Sequence, residues 1–333
     1  SHKEVFTEFA LIGLGSAGKR HARNLRSLGC EVSGFDPRAD RQQETAAEGP
    51  MKSLFGHLDE ALKAQTYDGF VIASPPSFHI DQIIAAGAQG GWILCEKPLS
   101  IDATGCKRLA DSGAKVLLGY TYRWWPPVAE FRRRLQSGEI GAVRHIRFVM
   151  SAHLADWHPW ERYQDFFMAN KEQGGGALLD ESHFLDLLLW FVGKPKAVMA
   201  SVDKISDLDI SADDNVDVIA SFDGGLRANL HLDLIGRPHQ RHIIAVGETG
   251  TLMWSYEENA VKLSRTGELK WDSQTFTCER NEMFMGAASE LLELIRGTRS
   301  APSCSLADGI AALEVVDACR QSAASGQSIR LTA

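Results

Sequence analysis

The sequence predicts an α/β protein in two parts: a doubly wound parallel sheet, then a second α/β domain with a largely antiparallel sheet. Three observations carry this. The first third alternates short apolar runs with amphipathic stretches, the rhythm breaks after Tyr120 at "RWWPP", and the remainder reads mostly as strands joined by turns.

Taken in order, "EFALIGLG" is an apolar run entering a helical "SAGKRHARNLRSLG". "EVSGFD" follows, then "ALKAQTYDGFVIAS", "SFHIDQIIAAGAQG", "GWILCEKP" and "CKRLADSGAKVLLGY". Continuous apolar runs are what parallel strands buried on both faces look like, so helices should cover both sides. Beyond the break, a helix near Val128 to Gln136 precedes "AVRHIRFVMSA", "KAVMASVDKI", "VDVIASFDGGLRANLHLDL" and "RHIIAVGETGTLMWS". Asp223-Gly224-Gly225 is a hairpin signal, because glycine supplies the positive φ of a tight turn. Two helical stretches, "GAASELLELIRG" and "LADGIAALEVVDACRQSAASG", close the chain. The expected domains are 1–121 and 122–333.

At 333 residues each domain can bury its own core. A hydrophobic fraction of 44%, a charged fraction of 23% and a net charge of -8 argue against a disordered or nucleic-acid-binding chain. The densest basic stretch, "FRRRLQSGEIGAVRHIRF", has arginines at helical spacing and reads as a solvated helix face. Six scattered cysteines without a C-x-x-C pair fit a reducing compartment, and no apolar run approaches a membrane span or signal-peptide core. The expectation is a cytoplasmic protein with neither membrane nor nucleic-acid partners.

"GLGSAG" (Gly13, Leu14, Gly15, Ser16, Ala17, Gly18) sits between strand and helix. There Gly13 permits a tight turn, Gly15 lets backbone approach a pyrophosphate, and Gly18 lets the helix pack on the strand. Alone it could be an ordinary glycine-rich turn. Asp36, at the end of the next strand, supplies a carboxylate for ribose hydroxyls and repels a 2′-phosphate, so NAD is favoured over NADP; Arg38 could tolerate the phosphate.

Two later strand ends also suit a ligand. Ser74-Pro75-Pro76 stiffens a loop along which a cofactor would lie, with Ser77 as a cap for the helix carrying His79, which reads either as a cofactor contact or as part of a plain capped turn. Glu96-Lys97-Pro98 places an acid and a base after the buried "WILC"; Lys97 could polarise a hydroxyl and stabilise an alkoxide, and Glu96 could orient it or touch the nicotinamide ribose. In "GGGALLDESHFLD", a helix from Gly176 to Gly193 would put Asp180, His183 and Asp186 on one broad face, either as a proton-transfer site or as a hydrogen-bonded core histidine with capping acids. The glycines there would let backbone approach bound ligands.

Together "GLGSAGKRHARNL", "SPPSFH", "CEKPLS", "GYTYRWWP", "SGEIGAV" and "GGGALLDESHFLDLLLWFVG" resemble the Gfo/Idh/MocA oxidoreductase family over most of the chain. The resemblance implies an N-terminal Rossmann domain and a C-terminal domain with a large open, mostly antiparallel sheet through which dimers or tetramers form. It also implies that Lys97 and the Asp180/His183 pair meet at the nicotinamide. Inositol dehydrogenase-like members place three residues between the aspartate and histidine, whereas only Glu181 and Ser182 intervene here; H-x-x-D makes His183 the match and shifts Asp180 around the helix.

The expected reaction is reversible oxidation of a secondary carbinol on a sugar, polyol or nucleotide sugar, with Lys97, His183 and Asp180 as the catalytic set. Arg123, Trp125, His158 and Trp160 are the candidate substrate shell; a structural aromatic cluster is the alternative for the tryptophans. His153, Asp156 and His158 have a spacing common by chance, and no metal is expected. An NAD-recycling glycoside hydrolase and a catalytically silent sugar sensor are the alternatives.

Overall fold

The computed structural model describes residues 5–332. These divide into two compact units, one formed by the chain up to residue 121 with 281–310, the other by 122–280 with the chain from 311. The first contains β1 (Glu8–Ile12), β2 (Glu31–Phe35), β3 (Leu54–Phe55), β4 (Gly69–Ile72), β5 (Trp92–Glu96) and β6 (Lys115–Gly119). They form a six-stranded sheet in the order β3-β2-β1-β4-β5-β6, parallel at every pairing. The order reverses at β1 and β4, and open α/β sheets bind ligands beyond the carboxyl ends of the strands at such a point.

The continuous apolar runs have their expected cause: Phe9, Leu11, Phe70, Val71, Ile72, Ile93 and Leu94 have no accessible surface. The helices of this unit are α1 (Ser16–Ser27), α2 (Ala39–Glu48), α3 (Leu58–Ala64), α4 (His79–Gly87) and α5 (Cys106–Asp111). A further helix, Asn281–Arg296, corrects the domain boundary, since residues 281–310 were expected in the second domain. It packs on α1 and β5, buries Ala287 and Leu291 completely, and exchanges side-chain amide hydrogen bonds between Asn281 and Asn24. Its amphipathic pattern marked it as a helix but could not say which sheet its apolar stripe would cover.

The second unit holds α6 (Pro126–Gln136), β7 (Val143–Ser151), α7 (Ala177–Asp180), α8 (His183–Val192), β8 (Ala197–Asp203), β9 (Asn215–Ser221) and β10 (Arg227–Asp233). It continues through β11 (Gln240–Gly247), β12 (Gly250–Ser255), β13 (Ala260–Arg265), β14 (Asp272–Thr275) and β15 (Ile329–Arg330). The nine-stranded sheet runs β14-β13-β12-β11-β7-β10-β9-β8-β15 and is antiparallel except where β7 meets β10. The β9–β10 turn has Gly224 and Gly225 at φ of 82° and 95°, the conformation a side chain would resist. One face is covered: Ile146, Phe148, Val218, Leu230 and Ile243 are at most 1% exposed. The other face is open, with Ile219 62% and Met199 48% exposed. Among the described residues no helix is long and apolar enough to cross a membrane.

Candidate functional site

The first unit carries a nucleotide grip built largely from backbone. A side chain at Gly13 would come within 2.7 Å of the Ser74 nitrogen, and one at Gly18 within 2.0 Å of the Gly13 carbonyl oxygen, so neither position admits one. α1 starts at Ser16 and Ala17 with no side chain capping it and no acidic residue in its first turn. Its terminal N–H groups and dipole are therefore suited to an anion. Asp36 is 2% exposed; its Oδ2 accepts from the Leu14 N–H at 2.9 Å and its Oδ1 from the Arg38 N–H at 2.9 Å, which fixes the carboxylate at the end of β2.

Arg38, the residue that could tolerate a 2′-phosphate, turns its guanidinium onto Asp40, with Nε and Nη2 at 3.1 and 2.6 Å on an exposed pair. The basic group beside the glycine loop is Arg41. Its Nη1 lies 3.8 Å from Asp36 Oδ2 and 3.4 Å from where a Gly15 side chain would begin. The sequence reading missed it because it lies in the first turn of α2, where helical geometry rather than proximity in sequence turns it back to the loop.

The proline loop is tied down from within. The Ser74 hydroxyl bonds the Gln82 side chain, Pro75 and Pro76 lead into a single 3₁₀ turn, and no side chain caps α4, so Ser77 does not have the capping role expected of it. His79 is also corrected as a cofactor contact. It has no accessible surface, its Nδ1 lies 2.8 Å from the Pro98 carbonyl oxygen and its Nε2 2.7 Å from that of Ser74. Burial pulls its pKa down despite the two carbonyl acceptors, and the ring lies enclosed between the loop after β4 and the one after β5.

Lys97 follows the end of β5, and Glu96 beside it receives His21 Nε2 on Oε1 at 2.6 Å. Burial alone would raise the Glu96 pKa; the His21 hydrogen bond and the charges of His21, Lys97 and Arg20 outweigh it and hold it below its ordinary value. His21 is 1% exposed and projects from α1, three residues past the last motif glycine. That position was its only sequence signal.

The second unit carries the other cluster, and here the expected single helix is broken. α7 ends at Asp180 and α8 starts at His183; 3₁₀-type bonds run from the Ser182 N–H to the Leu179 oxygen and from the Phe184 N–H to the Glu181 oxygen. Asp180, His183 and Asp186 therefore do not share one regular helical face. The glycine run also serves the chain itself. A side chain at Gly175 would meet the Met168 carbonyl oxygen at 2.4 Å; at Gly176, whose φ is +109°, it would meet the Asp213 carboxylate at 2.3 Å. Asp213 in turn accepts from the Leu178 N–H at 2.9 Å, and its burial raises its pKa.

Asp186 is 1% exposed and holds Arg123 through Nε and Nη2 at 3.0 and 2.7 Å, with the guanidinium buried too. This corrects Arg123 as a substrate fork: it is the buried partner of Asp186, fixing the start of α8 to the chain before α6. Asp180 is 6% exposed. The His183 ring stands edge-to-face on Tyr122 at 4.8 Å, and burial pushes the Tyr122 phenol up to about 12. The Tyr122 hydroxyl accepts from Arg241 Nη1 at 3.4 Å, and the Arg241 guanidinium lies 4.5 Å from the centre of the Tyr256 ring.

Trp125 is 3% exposed and tilted against Tyr256 at 6.0 Å, which places it in an aromatic cluster instead of on an open wall. Trp160 is 74% exposed, with His158 packed between it and Phe166. His153 Nδ1 accepts from the Ala155 N–H, Asp156 pairs with Arg237, and among the described residues no group of His, Cys, Asp or Glu has metal-binding geometry.

With this geometry in hand, comparisons with known proteins agree on one family. The model described as "Oxidoreductase family, NAD-binding Rossmann fold" matches residues 7–117, and "GFO/IDH/MocA C-terminal domain" matches 128–253. Inositol 2-dehydrogenase of Corynebacterium glutamicum is 30% identical over 145 residues, 41% of this chain and 43% of that protein. Rhizopine catabolism protein MocA of Rhizobium meliloti is 28% identical over 193 residues, 55% and 56% of the two chains. The chain thus spans about half the length of the curated relatives it matches. Among solved structures, levoglucosan dehydrogenase in complex with NADH superposes with a TM-score of 0.88 at 19% identity, covering 98% of this chain and 100% of that one. The WlbA dehydrogenase of Bordetella pertussis in complex with NADH and UDP-GlcNAcA gives 0.82 at 20%, covering 100% of both. At these identities the two structures establish the shared fold.

Proposed function

The chain belongs to the Gfo/Idh/MocA oxidoreductase family and its first unit is an NAD-binding Rossmann domain, and from this we propose that it is an NAD-dependent dehydrogenase acting on a secondary hydroxyl of a sugar or polyol. The observation that carries the reading is Lys97, set just past the end of β5 on the strand-end side where the glycine loop lies, beside a Glu96 fixed by His21. Asp36 supports NAD, because two backbone N–H groups fix its carboxylate at the end of β2, where it disfavours a 2′-phosphate.

The nicotinamide, when bound, supplies the hydride acceptor or donor. In this reading Lys97 donates a hydrogen bond to the reacting oxygen and stabilises its developing charge, while His183 takes the hydroxyl proton. The family resemblance implies that both act on one carbinol, and Asp180 is the candidate to steady the imidazole. Tyr122 limits the tilt of the His183 ring through their edge-to-face contact. Relatives named for inositol and levoglucosan support a polyhydroxylated substrate. The open sheet face, with Ile219 and Met199 exposed, supports self-association into a homo-oligomer.

The test is NADH formation, followed by absorbance, across neutral polyols, sugars, sugar acids and nucleotide sugars with purified protein. NADH accumulating in proportion to substrate, abolished by Lys97→Ala and by His183→Ala, is the expected result. Either variant retaining full turnover overturns the assignment, and turnover without net NADH points to a recycling hydrolase instead.

A further inference from the structure

β11 breaks its own pattern at one position. Along it the alternation that buries Ile243 and Ala245 completely, on the covered face of the sheet, carries back to residue 241, which pairs in register with the 1% exposed Met150 of β7. An apolar side chain is called for there. The residue is Arg241.

Arg241 is partly buried, and withdrawing a guanidinium from water even in part is costly unless its charge and donors are satisfied, which the chain does poorly. It forms no ion pair with a carboxylate among the described residues. Its side chain has one long hydrogen bond, to the Tyr122 hydroxyl at 3.4 Å, and the face of Tyr256. Burial works against its charge, and Tyr122, Glu181 and Tyr256 outweigh it to favour the charged form.

The surroundings also hold unused donors. The indole Nε1 atoms of Trp125 and Trp254 are buried with no hydrogen-bond partner among the described residues, and both rings pack within 6.2 Å of Tyr256. A cluster with surplus N–H groups, one fixed positive charge and flat aromatic walls suits a ligand that brings acceptors and a single negative charge. The cluster also touches His183, through the Tyr122 ring.

We propose that Arg241 binds the carboxylate of the substrate, so that the preferred substrates are carboxylated sugars or polyols, oxidised at a hydroxyl elsewhere on the same molecule. This rests on the dehydrogenase reading given above. A carboxylate is favoured over a diphosphate because the cluster offers one guanidinium, and planar bidentate pairing with that fork is the geometry a carboxylate matches.

The experiment is calorimetric titration of NADH-saturated protein with gluconate and glucuronate, and with their neutral counterparts glucitol and glucose, for the unmodified chain, Arg241→Lys and Arg241→Met. The expected result is tighter binding of at least one acid over its neutral counterpart by about tenfold or more, a preference reduced in Arg241→Lys and lost in Arg241→Met. Equal affinity for acid and neutral ligands overturns the inference, as does an acid preference that survives Arg241→Met. Should Arg241→Met fail to fold, shown by loss of a cooperative melt, the acid preference of the unmodified chain and its reduction in Arg241→Lys decide the matter. Glucose 1-phosphate is the second arm, and an Arg241-dependent gain confined to the phosphate overturns the carboxylate assignment. The two readings fail separately. NADH formed from neutral polyols without an acid preference removes this inference alone, whereas an Arg241-dependent acid preference with no NADH from any compound removes the dehydrogenase reading and leaves the anion site.

Discussion

The two units solve the problem of holding a ligand in opposite ways. In the first, the recognising groups are mostly backbone: the Gly13–Gly18 loop, the uncapped start of α1, and an Asp36 whose own geometry is set by main-chain N–H groups. In the second, the groups we propose for that role are side chains packed on side chains: His183 on Tyr122, Tyr122 on Arg241, and Arg241 on Tyr256. Backbone recognition tolerates many side chains but no added volume at its glycines. A side-chain network tolerates volume poorly and loss of a partner worse, because each buried polar group left behind bears its desolvation cost alone.

The largest effects test that contrast through chemistry. Lys97→Ala should lower kcat by about two to four orders of magnitude, the usual range for a lost acid-base or polarising group, while NADH affinity changes by less than about threefold, because backbone holds the nucleotide. Fluorescence titration of NADH beside steady-state kinetics reads both, and a parallel loss of NADH affinity would break the comparison. Next come the glycines. Gly18→Ala has no room at 2.0 Å from a carbonyl oxygen, and should weaken NADH binding by tenfold or more, with lower stability. Gly176→Ala combines a positive φ with a carboxylate 2.3 Å away, and should cost about 2 kcal/mol of stability with NADH affinity retained. Urea unfolding measures the second effect; a wild-type midpoint would show that Asp213 moves aside freely.

A smaller effect separates two arginines three residues apart. Arg41→Ala should weaken NADH binding by about three- to tenfold, since its guanidinium faces the glycine loop, whereas Arg38→Ala should leave it within about twofold because its partner is Asp40. The reverse ranking would restore the role first read for Arg38.

That reversal illustrates what could be read from the chain alone. The parallel sheet, the glycine loop and Asp36 were legible because each depends on residues close in sequence and on the fixed periods of strand and helix. Lys97 and His183 were singled out as residue types in motifs, and they stand just past the end of β5 and at the start of α8. What could not be read were the partners. Arg123 meets Asp186 across 63 positions and Tyr122 meets Arg241 across 119, and nothing local marks either pair. His79 looked like a ligand contact for the same reason: only the fold shows that two backbone carbonyls enclose its ring. The break after Asp180 was hidden as well, since the segment is apolar enough to read as one helix, and the 3₁₀ bonds at Ser182 and Phe184 mark where it divides.

The mildest prediction concerns pH and belongs to the side-chain unit alone. On β10, His231 places Nδ1 2.7 Å from Asp217 and Nε2 2.8 Å from Asp233. The hydrogen bond that its ring donates to Asp233 leads in raising its pKa to about 9, burial opposing and Asp217 adding. Its folded value lies above the ordinary one near 6.5, so the stabilisation is fully present below about pH 6.5 and is lost as pH rises through about 9. Because the ring is 34% exposed, solvent screens part of the effect and a shift of a few degrees in melting temperature is expected across that window. His231→Gln should flatten the profile between those limits while leaving NADH affinity unchanged, as this residue belongs to the second unit and the nucleotide grip to the first. A melting curve that falls equally steeply in the variant would place the pH sensitivity elsewhere, and a fall in NADH affinity would show that the two modes of construction are coupled.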